Sequence, residues 1–268
     1  MARHGKPGGR GGPGRGAAPA RAGGNAGRDP AGPMVLYGRN AVREAIRGPR
    51  TVSRVWAARG AAREEWLTPL KPTPATDEDL TELTGSGDHQ GVAAEVAPYR
   101  YAEASGLLTA EDALVVALDE VQDPRNLGAV ARVAECAGAA GLVIGERRSA
   151  QVTPVVCKAS AGAVEHLPIA RVRNLADFLD EAKQAGAWVY GASAEDAVPY
   201  EQPDYRGRTV VVFGSEGRGL RPRVRAHCDA LIALPLHGKV DSLNVSAAAS
   251  AVLYGILQFR RQSVDSAP

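Results

Sequence analysis

The chain has 268 residues, 44% of them hydrophobic and 23% charged, with a formal net charge of +2 and three cysteines. That is enough for one large domain or two modest ones with their own cores. No apolar run approaches the roughly 20 residues a membrane-spanning helix needs, so a soluble protein with no membrane partner is expected. The N-terminus has no apolar signal core, and its glycines break the amphipathic helix of a transit peptide, so a cytoplasmic location is expected.

Residues 1–33 hold six basic residues (Arg3, Lys6, Arg10, Arg15, Arg21 and Arg28) against Asp29 alone, while the remainder carries a net −3. Built from Gly, Pro, Arg and Ala, this segment cannot offset the entropy of ordering and is read as a disordered cationic arm. Such an arm either contacts RNA phosphates transiently or only aids solubility. From Met34 to Tyr99 short helices (40–46 and 76–83) alternate with strands (52–57 and 91–96), giving a small α/β module. Residues 100–112 are polar and read as a linker.

Beyond it, apolar strand runs are predicted at 113–118, 141–144, 187–192, 209–213 and 230–236, with helices at 126–138, 154–164, 175–185 and 245–261. Thr153 with Pro154, and Asn174, supply helix starts. Near-continuous apolar strands separated by helices imply an α/β fold with a mostly parallel sheet covered on both faces. The domain is expected to span 113–262, leaving 263–268 as a disordered tail. Cys136, Cys157 and Cys228 suit neither a disulfide framework nor a zinc site, and the histidines are scattered, so no metal is expected.

Three segments carry chemistry. Asp123-Pro-Arg-Asn-Leu-Gly-Ala-Val-Ala-Arg132 follows the first strand run, Phe213-Gly-Ser-Glu-Gly-Arg-Gly-Leu220 follows the fourth, and Asp241-Ser-Leu-Asn-Val-Ser246 lies between an apolar run and the last helix. The last crowds Ser242, Asn244 and Ser246 where a strand hands over to a helix, a place for caps and ligand-facing amides. The turn after the first strand holds no glycine, and no Lys-Ser or Lys-Thr follows Gly214, Gly217 and Gly219, so neither a dinucleotide fingerprint nor a P-loop is present.

As an ordered set the three segments resemble the signature of the SpoU/TrmH family, RNA 2'-O-ribose methyltransferases of the SPOUT class. The likeness is greatest to the bacterial enzyme that methylates a guanosine of 23S ribosomal RNA in the peptidyl-transferase region. It covers roughly residues 34–261, and Leu36-Tyr-Gly-Arg-Asn-Ala-Val42 with His89-Gln-Gly-Val92 make 34–99 similar to that family's substrate-recognition domain. The resemblance implies a deep C-terminal trefoil knot, S-adenosylmethionine as methyl donor, no metal, an RNA partner, and a homodimer with shared active sites.

By the same resemblance Gly214, Leu234 and Leu243 hold the cofactor, while Asn126, Arg132, Glu216, Ser242 and Asn244 form the catalytic set. Each has a plainer reading: core packing for the leucines, solvated surface for Arg132 and Glu216, helix capping for Ser242 and Asn244. Asn126 and Arg132, six residues apart on one predicted helix, are separated by about 600° and do not share a face. A pocket straddling two chains would reunite them. A guanidinium loses its proton only above about pH 12, so stabilising the developing alkoxide and gripping a phosphate suits Arg132 better than acting as base. Other RNA targets, namely transfer RNA or a ribosomal site whose modification blocks an antibiotic, and a non-catalytic ribosome-assembly factor remain alternatives. His237 and Lys239 are unassigned.

Overall fold

The computed structural model describes residues 32–240 and 242–265. Nearly all of the basic arm, and residues 266–268 of the expected tail, lie outside them. The N-terminal module comprises β1 (Met34–Tyr37), α1 (Arg39–Arg47), β2 (Val52–Ala57), β3 (Thr73–Pro74), α2 (Asp77–Thr84) and β4 (Val92–Val96). Its sheet runs β1-β4-β2-β3, with β4 antiparallel to both neighbours. Ala41, Val42 and Ala45 form the buried face of α1. A reciprocal capping box starts α2: the Thr76 hydroxyl accepts from the Asp79 amide and the Asp79 carboxylate from the Thr76 amide.

The second unit continues with β5 (Leu114–Asp119), α3 (Pro124–Cys136), β6 (Gly141–Gly145), α4 (Pro154–Ala159), β7 (Ile169–Val172), α5 (Leu175–Gln184), β8 (Trp188–Ala192), β9 (Val198–Pro199), β10 (Thr209–Gly214), α6 (Pro222–Ala226), β11 (Ala230–Ala233) and α7 (Val245–Asp265). Its seven strands lie in the order β7-β6-β5-β10-β8-β11-β9 and pair in parallel. Both faces are covered, as expected. Leu114, Val116 and Leu118 join a core with Val130 of α3 and Leu253 of α7, while Val115 and Ala117 join another with Phe178 of α5 and Val224 of α6. This alternation is the period-two geometry of a strand buried on both sides.

Some elements depart from the sequence reading. β7 and α6 were not expected, because Ile-Ala-Arg-Val is a short run and α6 has only five residues. The expected helix 154–164 stops at Ala159 and resumes as a short 3-10 turn at Ala163–Glu165. α7 runs to Asp265, so the first residues of the expected tail are helical.

Residues 100–112, expected as a polar linker, are packed onto the second unit. Leu107 and Leu108 are buried, the Ala102 amide donates to the Ile169 carbonyl at 2.8 Å, and the Tyr101 hydroxyl accepts from the Val152 amide at 2.9 Å. Composition shows the polar residues of such a segment but not the two leucines' burial against the sheet.

The two units meet through α4 and the turn after it. The Arg50 guanidinium, its side chain 7% exposed, pairs with the Glu165 carboxylate, 1% exposed. Nε of Arg50 donates to Glu165 Oε2 at 2.8 Å, another guanidinium nitrogen donates to the Ala97 carbonyl at 3.3 Å, and the group lies 5.6 Å from the Tyr99 ring centre. Lys158 donates to the Asp88 carbonyl and lies 5.5 Å from the Tyr37 ring centre, and His166 bonds the Glu44 carboxylate at 3.0 Å. The Lys158 and His166 contacts fall on or beside the two N-terminal motifs. The Arg39 amide donates to Gln90 Oε1 at 3.0 Å and the Gly38 amide to the Val92 carbonyl at 3.1 Å, joining the motifs to each other.

Candidate active site

From β5 the chain steps outward through β6 and β7, crosses to β8 and β9 on the other side, and then inserts β10 between β5 and β8 before leaving for β11 in the opposite direction. The sheet thus has a topological switch point between β5 and β10, and in open parallel sheets ligands bind outside the strand C-termini at such a point. A cleft of about 260 Å³ opens there, lined among others by Glu120, Asp123, Asn126, Ser215, Glu216 and Arg218. A larger hollow of about 430 Å³ lies near the strands' N-terminal ends, between Leu114, Ala137 and Leu257. It contains none of the motif residues, so the smaller cleft is the candidate site.

The first two motifs line this cleft, and the third reaches it through Asn244, which bonds Asn126 and Glu216. Asp123 caps α3, its carboxylate accepting from the Arg125 amide at 2.8 Å, with Pro124 at the first helical position. Asn126 then faces the cleft from the first turn. Gly128 lets α4 pack against the same helix, since a methyl built there would lie 2.6 Å from the Ala159 side chain.

After β10 the chain makes a narrow loop, closed by mutual backbone hydrogen bonds of Ser215 and Gly219 at 3.2 and 2.9 Å. Gly214 is required by this fold-back, because a Cβ there would overlap the Gly219 carbonyl. Glu216 sits at the loop's tip. Strand β11 ends at Ala233, earlier than the expected 236, ahead of Pro235, which has no amide for the ladder. Residues 234–240 and 242–244 are therefore irregular, not a direct handover from strand to helix, and Asn244 stands at the start of α7.

The three side chains meet. Asn126 Nδ2 donates to Glu216 Oε1 at 2.9 Å, and Asn244 Nδ2 donates to the same oxygen at 2.6 Å and to Asn126 Oδ1 at 3.0 Å. Asn244 is also the cap of α7, its Oδ1 accepting from the Ser246 amide at 2.9 Å and from the Ser246 hydroxyl at 2.6 Å. One residue thus both caps α7 and joins the polar cluster.

Other candidate residues lie around this cluster. Ser242 is exposed in the approach to Asn244, Leu234 packs partly buried against the core, and Leu243 is 48% exposed. Arg132 is exposed farther along α3 and takes no part in the Asn126–Glu216–Asn244 hydrogen bonds. The sequence reading missed Asp119, Glu120 and Arg221. Asp119 ends β5 as a buried carboxylate at the close of an otherwise apolar run, and that is the signal that could have marked it.

Leu236, Val240 and Leu243 expose apolar side chains along the irregular segment, while Gly217 and Gly219 have open space where a side chain would stand. Apolar walls beside accessible backbone suit an adenine-containing ligand.

The fold is an α/β domain with a parallel sheet, whose switch point gathers polar side chains from three separate segments of the chain. The chain belongs to the SpoU rRNA methylase family, whose model matches residues 113–254; that of the RNA 2'-O ribose methyltransferase substrate-binding domain matches residues 35–102. A provisionally named TrmH family tRNA/rRNA methyltransferase of Staphylococcus haemolyticus is 38% identical over 87% of this chain and 99% of its own length. An uncharacterized tRNA/rRNA methyltransferase of Synechocystis sp. is 40% identical over 86% of this chain, which spans 63% of that relative's length. An AdoMet-bound rRNA methyltransferase of Sinorhizobium meliloti shares the fold with a TM-score of 0.72 and 25% identity, covering 86% of this chain and 87% of that one.

The family models bear out the resemblance, the two-part α/β architecture and RNA as the substrate class. Among the described residues no helix is long and apolar enough to cross a membrane.

Proposed function

We propose that this protein transfers a methyl group from S-adenosylmethionine to a ribose 2'-hydroxyl of RNA, with a guanosine of 23S ribosomal RNA near the peptidyl-transferase centre as target. The observation that carries this reading is the convergence of Asn126, Glu216 and Asn244 on one carboxylate oxygen at the switch point. Packing alone does not call for such a cluster, since Glu216 and Asn244 are exposed and Asn126 half-buried, so their mutual hydrogen bonds add little to the core.

When bound, S-adenosylmethionine supplies an activated methyl group on a sulfonium centre. Gly214, Leu234 and Leu243 are assigned to hold it, with the exposed Leu243 as apolar wall. Asn126, Glu216, Ser242 and Asn244 are assigned to orient the ribose and fix the reacting geometry, where alignment supplies much of the rate. Arg132, with its permanent charge, is assigned to the neighbouring phosphate and the developing alkoxide. Because Arg132 lies exposed away from the cluster, the site is read as completed by a second copy of the chain in a homodimer. Residues 34–99 form the recognition domain and 113–262 the methyltransferase domain, with the trefoil knot and a cytoplasmic location as parts of the same reading.

Mapping ribose methylation across ribosomal and transfer RNA of a strain lacking the chain tests this. One unmethylated 23S guanosine, restored by the wild-type chain and not by Glu216→Gln, is expected. Loss at a transfer-RNA position would move the target, and an unchanged map would remove the assignment.

A further inference from the structure

We infer that Arg221 is a positioning residue for the methyl transfer: held by the buried carboxylate of Asp119, it fixes the Glu216 loop against the turn that leads to Asn126. The inference rests on the catalytic reading of Glu216 given above.

Glu216 sits at the exposed tip of a loop, so its meeting with Asn126 and Asn244 needs an anchor beyond the loop's own closure. In the β10–β5 register Gly214 stands opposite Asp119, so the loop begins beside that residue. It also ends there. The Arg221 amide donates to Asp119 Oδ2 at 2.8 Å, and the Arg221 Nε donates to Asp119 Oδ1 at 2.7 Å, which occupies both oxygens of a side chain with no solvent exposure. Arg221 precedes Pro222, the first residue of α6, and extended backbone is the conformation favoured before proline. Its amide is thereby left for Asp119.

The same guanidinium extends to the opposite wall of the cleft. Arg221 lies 3.5 Å from the Glu120 carboxylate, which Arg148 also approaches at 3.5 Å from the loop after β6. Glu120 takes a left-handed backbone, φ 57°, at the start of the turn leading to Asp123 and Asn126. Non-glycine residues adopt that conformation when their surroundings over-determine it. Arg221 therefore ties together the two segments whose side chains meet at the Asn126–Glu216 hydrogen bond. By contrast, Arg223 on the helix that follows pairs with Asp177, both side chains exposed, and touches neither wall.

The test uses the full chain, with methyl transfer from labelled S-adenosylmethionine to total RNA from a strain lacking the protein. Cofactor affinity is measured by calorimetry and folding by thermal melting. Arg221→Ala is expected to lower kcat by about tenfold while the cofactor Kd changes by less than about threefold, the pattern of a lost transition-state geometry. Arg221→Lys, which keeps a cation beside Asp119, should recover part of that loss, and Arg223→Ala should match wild type.

A merely structural role would multiply with other defects. If Arg221 acts through Glu216, the double variant Arg221→Ala with Glu216→Gln should be no slower than Glu216→Gln alone, within about twofold. Should the alanine variant not fold, the cycle is run with Arg221→Lys, expected to lose about threefold on its own and nothing further on top of Glu216→Gln. A slow Glu216→Gln enzyme together with wild-type rates for the Arg221 variants overturns the positioning role alone. So does a double variant whose loss is the product of the two single losses. A fully active Glu216→Gln enzyme overturns the catalytic reading of Glu216, and the role assigned to Arg221 with it.

Discussion

The joint between the two units offers a quantitative check of how the recognition domain is held. Arg50 and Glu165 are 7% and 1% exposed at their side chains, so removal of either leaves a charge that water cannot reach without local opening. Breaking such a buried pair costs about 3–5 kcal/mol. The two single variants should not be equal. With Arg50→Ala, both Glu165 oxygens lose the guanidinium, whereas with Glu165→Ala the guanidinium keeps the Ala97 carbonyl and the Tyr99 ring face. Arg50→Ala is therefore expected at the upper end of that range and Glu165→Ala at the lower. At about 2–4 °C per kcal/mol for a chain of this size, the melting temperature should fall by roughly 6–20 °C. Replacing both together, Arg50→Met with Glu165→Leu, removes the desolvation cost along with the attraction and should return most of the loss. Urea unfolding followed by circular dichroism and tryptophan fluorescence measures all three variants, with coincidence of the two probes showing whether the units unfold together. Single variants within about 1 kcal/mol of wild type would refute the argument, because 1 kcal/mol is what an exposed pair gives.

Arg132→Ala should remove most methyl transfer while leaving S-adenosylmethionine affinity within a few-fold, and mixing it with Glu216→Gln chains should restore some activity if the site draws on two copies; calorimetry and a complementation assay check both. Burial pulls the Glu44 carboxyl upward, but the His166 hydrogen bond, Arg47 and Arg43 outweigh it and hold the group below its ordinary value of 4.5. A depressed carboxyl stabilises the fold above its unfolded pKa and loses that contribution as pH falls through its folded one, so Glu44→Gln should flatten the stability curve below about pH 4.5; an unchanged acid limb would refute this. Deleting residues 1–33 should lower the salt slope of RNA affinity by about 1–3, at roughly 0.7 per phosphate, without changing which nucleotide is methylated. An unaltered affinity and slope would reduce the arm to a solubilising extension.

How much of this was legible in the sequence depended on whether the governing contact was local. The apolar runs of β5, β6, β8 and β10 announce themselves because strands buried on both faces leave no polar alternation, and α2, α4 and α5 announce themselves through Thr76, Thr153 and Asn174, whose side chains satisfy amides two or three residues away, whereas the Asp123 cap of α3 was passed over and that helix expected only from 126. The geometric incompatibility of Asn126 and Arg132 was also readable, since helix pitch alone sets it. Strand order was not. Nothing in residues 209–214 says that this run pairs with β5 on one side and β8 on the other, yet that placement creates the switch point and brings Glu216 to Asn126 across 90 residues of chain.

The same distinction explains the roles of the charged residues that pattern reasoning passed over. Asp119 reads locally as the polar end of a strand, and Arg221 as a residue before proline. Their function arises only when the sheet register sets Gly214 beside Asp119 and the returning loop lays Arg221 across it. Arg50 and Glu165, 115 residues apart, likewise look like ordinary surface charges until β1, β4 and α4 close over them. In this chain the motif residues assigned to the site are marked by their own neighbours in sequence. The residues that hold those motifs in place are marked only by partners distant in sequence, so the burial of a paired charge is the feature by which the structure reveals them.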